Sequence, residues 1–181
     1  MNMRPRKNIL IVGTTLTGKT TYLNELIKKS NEKILVYDIN CEVKYRHLPT
    51  VNVLKLDYQK GKRRVVFPRP ATVIEFITQD YRNGILILDD VDRYLSVTSI
   101  DWQNLIIGHR HLGLDIIFVF HSLRRALPIF YENCTDIILF KTQEAPDESI
   151  KKLPNADDVL KTFAIVEKNN NFHYSQRIRC R

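Results

Sequence analysis

Gly13-Thr14-Thr15-Leu16-Thr17-Gly18-Lys19-Thr20 is the stretch that decides the fold. It satisfies G-x-x-x-x-G-K-[ST] at every position. The residues before it, Asn8-Ile9-Leu10-Ile11-Val12, have the near-continuous apolar character of a strand buried on both faces. From Lys19 to Ser30 the periodicity is helical, with Tyr22, Leu23, Leu26 and Ile27 on one face. A strand, a glycine loop and a helix in that order make a phosphate cradle. The glycines let the loop close with its N–H groups pointing inward. The helix start adds its positive dipole end. Lys19 neutralises the β- and γ-phosphates, and the Thr20 hydroxyl faces Mg²⁺. The expected nucleotide-binding set is residues 13–21, Thr21 included.

Working outward, residues 33–37 read as a second strand ending at Asp38. Residues 51–67 read as two short strands around Gln59-Lys60-Gly61-Lys62, a hairpin turned at Gly61. Pro70 opens a helix over 71–82, which Asn83-Gly84 stops. Residues 85–88 form a third strand closed by Asp89-Asp90. A helix over 99–111, a strand over 116–120, a short helix over 128–133 and a strand over 136–140 follow. Residues 162–167 and 172–179 bracket Asn169-Asn170-Asn171, which predicts a C-terminal β-hairpin. Strands alternating with helices specify an α/β domain with a mostly parallel sheet. Ligands in such sheets sit outside the carboxyl ends of the strands. The expectation is a single domain over 1–181, with its core at about 8–142 and an extension at about 143–181.

Composition narrows the class. A chain of 181 residues with 44% hydrophobic and 27% charged residues is ordinary globular material. Six glycines and seven prolines exclude collagen-like and low-complexity chains. The longest apolar runs, such as 116–120, fall far short of the ~20 residues that span a bilayer. The basic N-terminus is followed by only four apolar residues, too few for a secretory signal. Cys41, Cys134 and Cys180 are odd in number and lack metal-ligand spacing, so they read as reduced thiols of a cytoplasmic protein. The net charge of +8 favours a polyanionic partner.

Asp89, at the end of an apolar strand, is the carboxylate expected in the Mg²⁺ shell. Asp90 stands where many P-loop ATPases carry a Glu that polarises the attacking water. Asp90 and Asp92 both also qualify as helix caps. A GTPase would need an Asn-Lys-x-Asp motif and a D-x-x-G switch, and the sequence has neither. A small-molecule or nucleotide kinase stays open, with Arg124-Arg125 as its candidate lid. A nucleotide-dependent switch with little turnover stays open too, because Asp90 is one methylene shorter than Glu.

One long stretch separates these readings. Arg110, Gly113 and His121, around the apolar strand 116–120, keep a particular spacing. An arginine lies three residues before a glycine, and a polar residue closes the strand eight residues after it. In this the chain resembles the HerA–FtsK superfamily of DNA-pumping P-loop ATPases, with His121 in place of the usual Gln. Asp38 with Glu42, and the pair Asp89-Asp90, agree with the same pattern. The resemblance covers about residues 8–142. It implies a three-layer, RecA/ASCE-like P-loop NTPase that hydrolyses ATP with Mg²⁺. It implies catalytic roles for Lys19, Asp90, Arg110 and His121. Arg110 would be a finger reaching a neighbour's γ-phosphate, and His121 a sensor of the γ-phosphate or the water. It also implies a homo-oligomeric ring, most often a hexamer, with DNA through the middle.

Compact members of the superfamily resemble viral genome-packaging ATPases. The expected protein therefore pumps DNA into a capsid, in the host cytoplasm or associated with the virion, and docks on a capsid or membrane protein. A ring motor meets the phosphate backbone with Lys and Arg regardless of base sequence. Lys60, Lys62, Arg63 and Arg64 are the candidate channel loop. Arg124 and Arg125 form a second candidate pair, and Arg177, Arg179 and Arg181 a third group. Trp102, Tyr81 and Tyr94 read as core rather than as base-stacking platforms.

Overall fold

The computed structural model describes residues 5–52, 60–66, 69–94, 100–126, 128–143, 150 and 155–180. Among these lie eight strands: β1 (Asn8–Val12), β2 (Ile34–Tyr37), β3 (Thr50–Val51), β4 (Lys62–Val65), β5 (Gly84–Leu88), β6 (Leu114–Phe120), β7 (Asp136–Phe140) and β8 (Ser175–Arg179). Five α-helices accompany them: α1 (Lys19–Lys29), α2 (Pro70–Asp80), α3 (Ile100–Gly108), α4 (Pro128–Asn133) and α5 (Ala156–Lys168). The strands form one sheet in the order β3-β4-β2-β5-β6-β1-β7-β8. Every pair is parallel except β7 with β8.

The continuous apolar strands follow from burial on both faces. Successive side chains alternate across a strand, so each central strand supplies two cores. Leu10, Val12, Leu86, Leu88, Phe118 and Phe120 pack with residues of α2 to α5. Ile11, Ile85, Ile87, Ile117 and Val119 pack with Leu23 and Ile27 of α1 and with Tyr45 and Leu48. Sealing α1 by Leu23 and Ile27 contributes about 1.5–3 kcal/mol for each side chain. Tyr81 and Trp102 are buried, and Tyr94 packs on Tyr37 and Trp102, as core residues should.

Two local expectations are corrected. Among the described residues the hairpin expected over 51–67 is not seen: β4 lies between β2 and β3 and runs parallel to both. Gly61 (φ 72°) leads the chain into β4, and its carbonyl accepts from the Ile34 amide. Lys62, Arg63 and Arg64 are therefore strand residues, with Val65 buried beside them. Gln59 lies outside the described residues. The C-terminal antiparallel pair is present, but the partner of β8 is β7. Residues 162–167 belong to α5, where Val159, Phe163 and Val166 make a buried stripe at helical spacing. A short apolar run such as Phe163-Ala164-Ile165-Val166 does not by itself separate strand from helix.

Gly113 supports the turn into β6. Its φ is 68°, and a Cβ there would lie 2.2 Å from Asn83 Oδ1. Its carbonyl also accepts from the Gly84 amide. Gly113→Ala is expected to destabilise the chain by about 1–3 kcal/mol, the range for backbone held in a disfavoured region. Urea unfolding should show a lower midpoint with an unchanged slope.

Candidate active site

The glycine loop leaves β1 at the carboxyl ends of the central strands. The Gly13 amide donates to Phe120 O (3.2 Å) and the Thr14 amide to Lys141 O (2.9 Å), which fastens the loop to the ends of β6 and β7. A side chain at Gly13 would put its Cβ 2.6 Å from that of Phe140. Leu16 and Gly18 both have positive φ, 68° and 99°, and Thr17 Oγ1 donates to Thr14 O (2.8 Å). The start of α1 has no acid in its first turn and no side-chain cap. Its first amides are therefore free to receive an anion.

Lys19 folds back over this loop and donates to the carbonyls of Gly13 and Thr14. It is 8% exposed. Burial pulls its pKa down to about 8, although the Asp89 and Asp90 carboxylates act in the other direction. The cradle thus holds a lysine whose charge lacks full compensation, and a phosphate would supply it.

The sheet order decides which residues join it. β6 lies between β1 and β5. Asp89 and Asp90, beyond β5, and His121, beyond β6, therefore share one cleft with the loop. That cleft has a volume of about 400 Å³, and Lys19, Thr20, Thr21, Asp89, Asp90 and His121 line it. Asp89 is 4% exposed, and its Oδ2 lies 2.7 Å from Lys44 Nζ. Burial alone would lower the Lys44 ammonium, but the Asp89 carboxylate beside it reverses this and raises it.

Asp90 sits at the centre of a polar network. Its Oδ1 lies 2.8 Å from His121 Nε2, and its Oδ2 accepts from Asn40 Nδ2 at 2.7 Å. Arg93 donates to Asn40 Oδ1 at 3.0 Å and lies 3.9 Å from Asp90 Oδ2. Burial pushes the Asp90 carboxyl up, but the His121 hydrogen bond and the Lys44 and Arg93 charges outweigh it and hold it low. Asp90 precedes a 3-10 turn (Val91–Arg93) but makes no side-chain cap there; its carboxylate is bonded by His121 and Asn40 at the cleft instead. Asp92 instead pairs with Arg125 at 3.0 Å.

Sequence reasoning missed Lys44, Asn40 and Arg93. Asn40 and Lys44 follow β2, and only the pairing of β2 with β5 brings them to the acids. His173 was missed too. It lies in the turn before β8, and its ring approaches Gly18 closely enough to wall the cleft.

The oxygen donors fit a hard divalent cation. Thr20 and Asp89 line the same cleft, one at the helix start and one at a neighbouring strand end. The buried Asp89 carboxylate already holds a cation, the Lys44 ammonium. Mg²⁺ prefers one or two such carboxylate or hydroxyl ligands together with phosphate oxygens.

Other expected site residues lie elsewhere. Arg110 is exposed and precedes β6, at the amino ends of the strands. The seven residues of β6 (Leu114–Phe120) put it about 20 Å from the glycine loop at the usual rise per residue. It borders a second cavity of about 830 Å³ with Lys7, His111 and Arg179. Arg177, in the same cavity, pairs with Asp136 at 2.7 Å.

The basic run after Lys60 is also engaged. Lys62 donates to Lys28 O, and Arg64 lies 3.5 Å from Asp38 and donates to Thr50 Oγ1. Lys62, Arg63 and Arg64 thus stand in a strand rather than at a loop tip. Arg124 and Arg125 are exposed in the turn after His121. Arg181 lies outside the described residues.

The fold has close counterparts among solved structures. The genome packaging NTPase B204 of Sulfolobus turreted icosahedral virus 2, in complex with ATP-gammaS, superposes with a TM-score of 0.78 at 19% identity, covering 98% of this chain and 94% of that one. B204 of Sulfolobus turreted icosahedral virus, a DNA-packaging ATPase, gives 0.75 at 19% identity, with 98% and 94% covered. The N-terminal domain of zonular occludens toxin from Neisseria meningitidis gives 0.56 at 15% identity, with 98% and 95% covered. No family model matches the chain, and no curated protein matches it. The chain has the three-layer P-loop ATPase fold and resembles viral genome-packaging ATPases in it.

Proposed function

We propose that the chain is an ATP-hydrolysing motor subunit that moves DNA, as a viral genome-packaging ATPase does. The observation that carries this reading is the division of the molecule. Lys19, Thr20, Asp89, Asp90 and His121 share one cleft, while Arg110 stands at the other end of the sheet. A nucleotide site of that composition has its countercharge, metal donors and water-side groups, but its lining arginine, Arg93, is engaged with Asn40 beside Asp90, so the arginine for the developing charge comes from elsewhere. Arg110 of a second copy supplies it, so the active unit is a head-to-tail ring of this single domain. Six subunits are the expectation from the superfamily.

In this reading the amides of residues 13–21 and Lys19 hold the phosphates. Mg²⁺, when bound, neutralises phosphate charge, and Thr20 and Asp89 hold it. Asp90 and His121, bonded to each other, form the water-side pair. The +8 net charge attracts the DNA backbone at long range. Arg124 and Arg125, in the turn after His121, are the proposed contact that couples the cleft to DNA. The motor works in the host cytoplasm or on the virion, docked on a capsid or membrane protein. Among the described residues no helix is long and apolar enough to cross a membrane.

The test is steady-state ATP hydrolysis with and without long duplex DNA, at low and moderate salt. DNA is expected to stimulate turnover, and the stimulation should weaken as salt rises. Turnover that responds to a small phosphoryl acceptor and ignores DNA would identify a kinase instead. ATP binding without turnover in either case would identify a switch.

A further inference from the structure

We propose that His121 is the group that takes the proton from the attacking water, and that Asp90 is a positioning residue that orients the His121 ring and fixes its tautomer. This rests on the ATP-hydrolysis reading above and divides the labour within that same site.

Both oxygens of Asp90 are engaged. Oδ1 meets His121 Nε2 at 2.8 Å, and Oδ2 accepts from Asn40 at 2.7 Å. Arg93 braces Asn40 from behind. A carboxylate has no proton to donate, so the hydrogen in the Asp90–His121 bond belongs to Nε2. In the neutral ring the lone pair is then on Nδ1. Among the described residues Nδ1 has no hydrogen-bond partner, and the ring lines the cleft beside Lys19 and Thr20.

Exposure separates the two side chains. That of His121 is 30% exposed and that of Asp90 is 9%. The shorter, doubly bonded acid is poorly placed to reach a water, whereas the imidazole extends it into the cleft. Asp90 also holds a left-handed backbone (φ 52°), a costly conformation that persists where its surroundings over-determine it. Asn40, Arg93 and His121 are those surroundings.

The step balances without any further reactant. The water oxygen forms a bond to the γ-phosphorus. The bond from the γ-phosphorus to the bridging oxygen breaks, and ADP leaves with that electron pair. The water's proton passes to His121 Nδ1. The resulting imidazolium is stabilised through Nε2–H by the Asp90 carboxylate, the division of roles seen wherever an acid orients a basic histidine. The proton then leaves to solvent from the part-exposed ring.

Three measurements test this. The first compares His121→Gln with His121→Ala for ATP turnover in the presence of long duplex DNA. Glutamine can bond a phosphate oxygen but cannot take a proton, so both variants should lose about 10²–10⁴-fold in kcat while their ATP Kd is unchanged. The second adds free imidazole, which should restore part of the turnover of His121→Ala. The third is ¹⁵N NMR of the His121 ring in the wild-type chain. It should show Nε2 protonated and Nδ1 bare, and Asp90→Asn should shift that balance.

A fully active His121→Gln protein overturns the inference and leaves a sensor role. A wild-type ring protonated at Nδ1 overturns it too, even if every variant misfolds. A wild-type chain that never turns over ATP overturns the hydrolysis reading itself.

Discussion

Lys19→Ala is expected to abolish ATP turnover, with kcat at least about 10³-fold lower, more than the loss of one neutral donor costs. Lys19 is the buried cation of the glycine loop. Its nearest replacement, Lys44, is held at 2.7 Å by Asp89 and cannot leave without exposing that buried acid. The loss should be accompanied by a change in proton linkage. Burial pulls the Lys19 pKa down to about 8. A bound triphosphate favours the charged form and raises it. Between those two values the complex holds more protons than its separated partners. ATP binding above pH 8 should therefore take up a proton, and affinity should fall as pH rises further. Calorimetry in buffers of different ionisation heat reads that uptake directly, and Lys19→Ala should remove it. An unchanged uptake in the variant would assign the proton to another group.

Arg110→Ala is expected to lower kcat by about 10³–10⁵-fold, the range for an arginine finger supplied in trans. ATP affinity and thermal stability should stay near wild type, because the side chain is exposed and outside its own cleft. Mixing supplies the decisive check. A Lys19→Ala subunit keeps its Arg110, and an Arg110→Ala subunit keeps its cleft. Wherever the first lies against the second, one complete site forms. Mixtures of the two inactive proteins should therefore regain turnover, most strongly near equal proportions. A mixture that stays inactive would exclude the shared site.

Particular residues show how much of this was legible beforehand. The loop motif needs only local chemistry, because its glycines, Lys19 and Thr20 act within eight consecutive residues, and the structure closes the cradle they specify. Asp89 and Asp90 were legible for a similar reason: an apolar strand that ends in acids declares its carboxyl end. Lys44, Asn40, Arg93 and His173 were not legible. Each is an ordinary polar residue in a loop, and nothing in its neighbours in sequence points to the cleft. The two misread segments failed through ambiguity of the pattern. A four-residue apolar run fits a strand or a buried helix face. Two short strands separated by a glycine turn fit a hairpin until their pairing proves parallel and β2 takes the other edge of β4.

The sequence by itself determined the α/β class, the phosphate loop and the positions of the strand-end acids. Local propensity and the burial of both sheet faces leave little choice there. Tertiary structure alone decided what those residues meet. The insertion of β6 between β1 and β5 brings His121 to Asp90, and the pairing of β2 with β5 brings Lys44 to Asp89. The length of β6 keeps Arg110 out of its own cleft. Strand order is set by long-range packing, which no local window of sequence contains. The roles of these residues depend on that order, because a charge acts on what lies within a few ångströms of it.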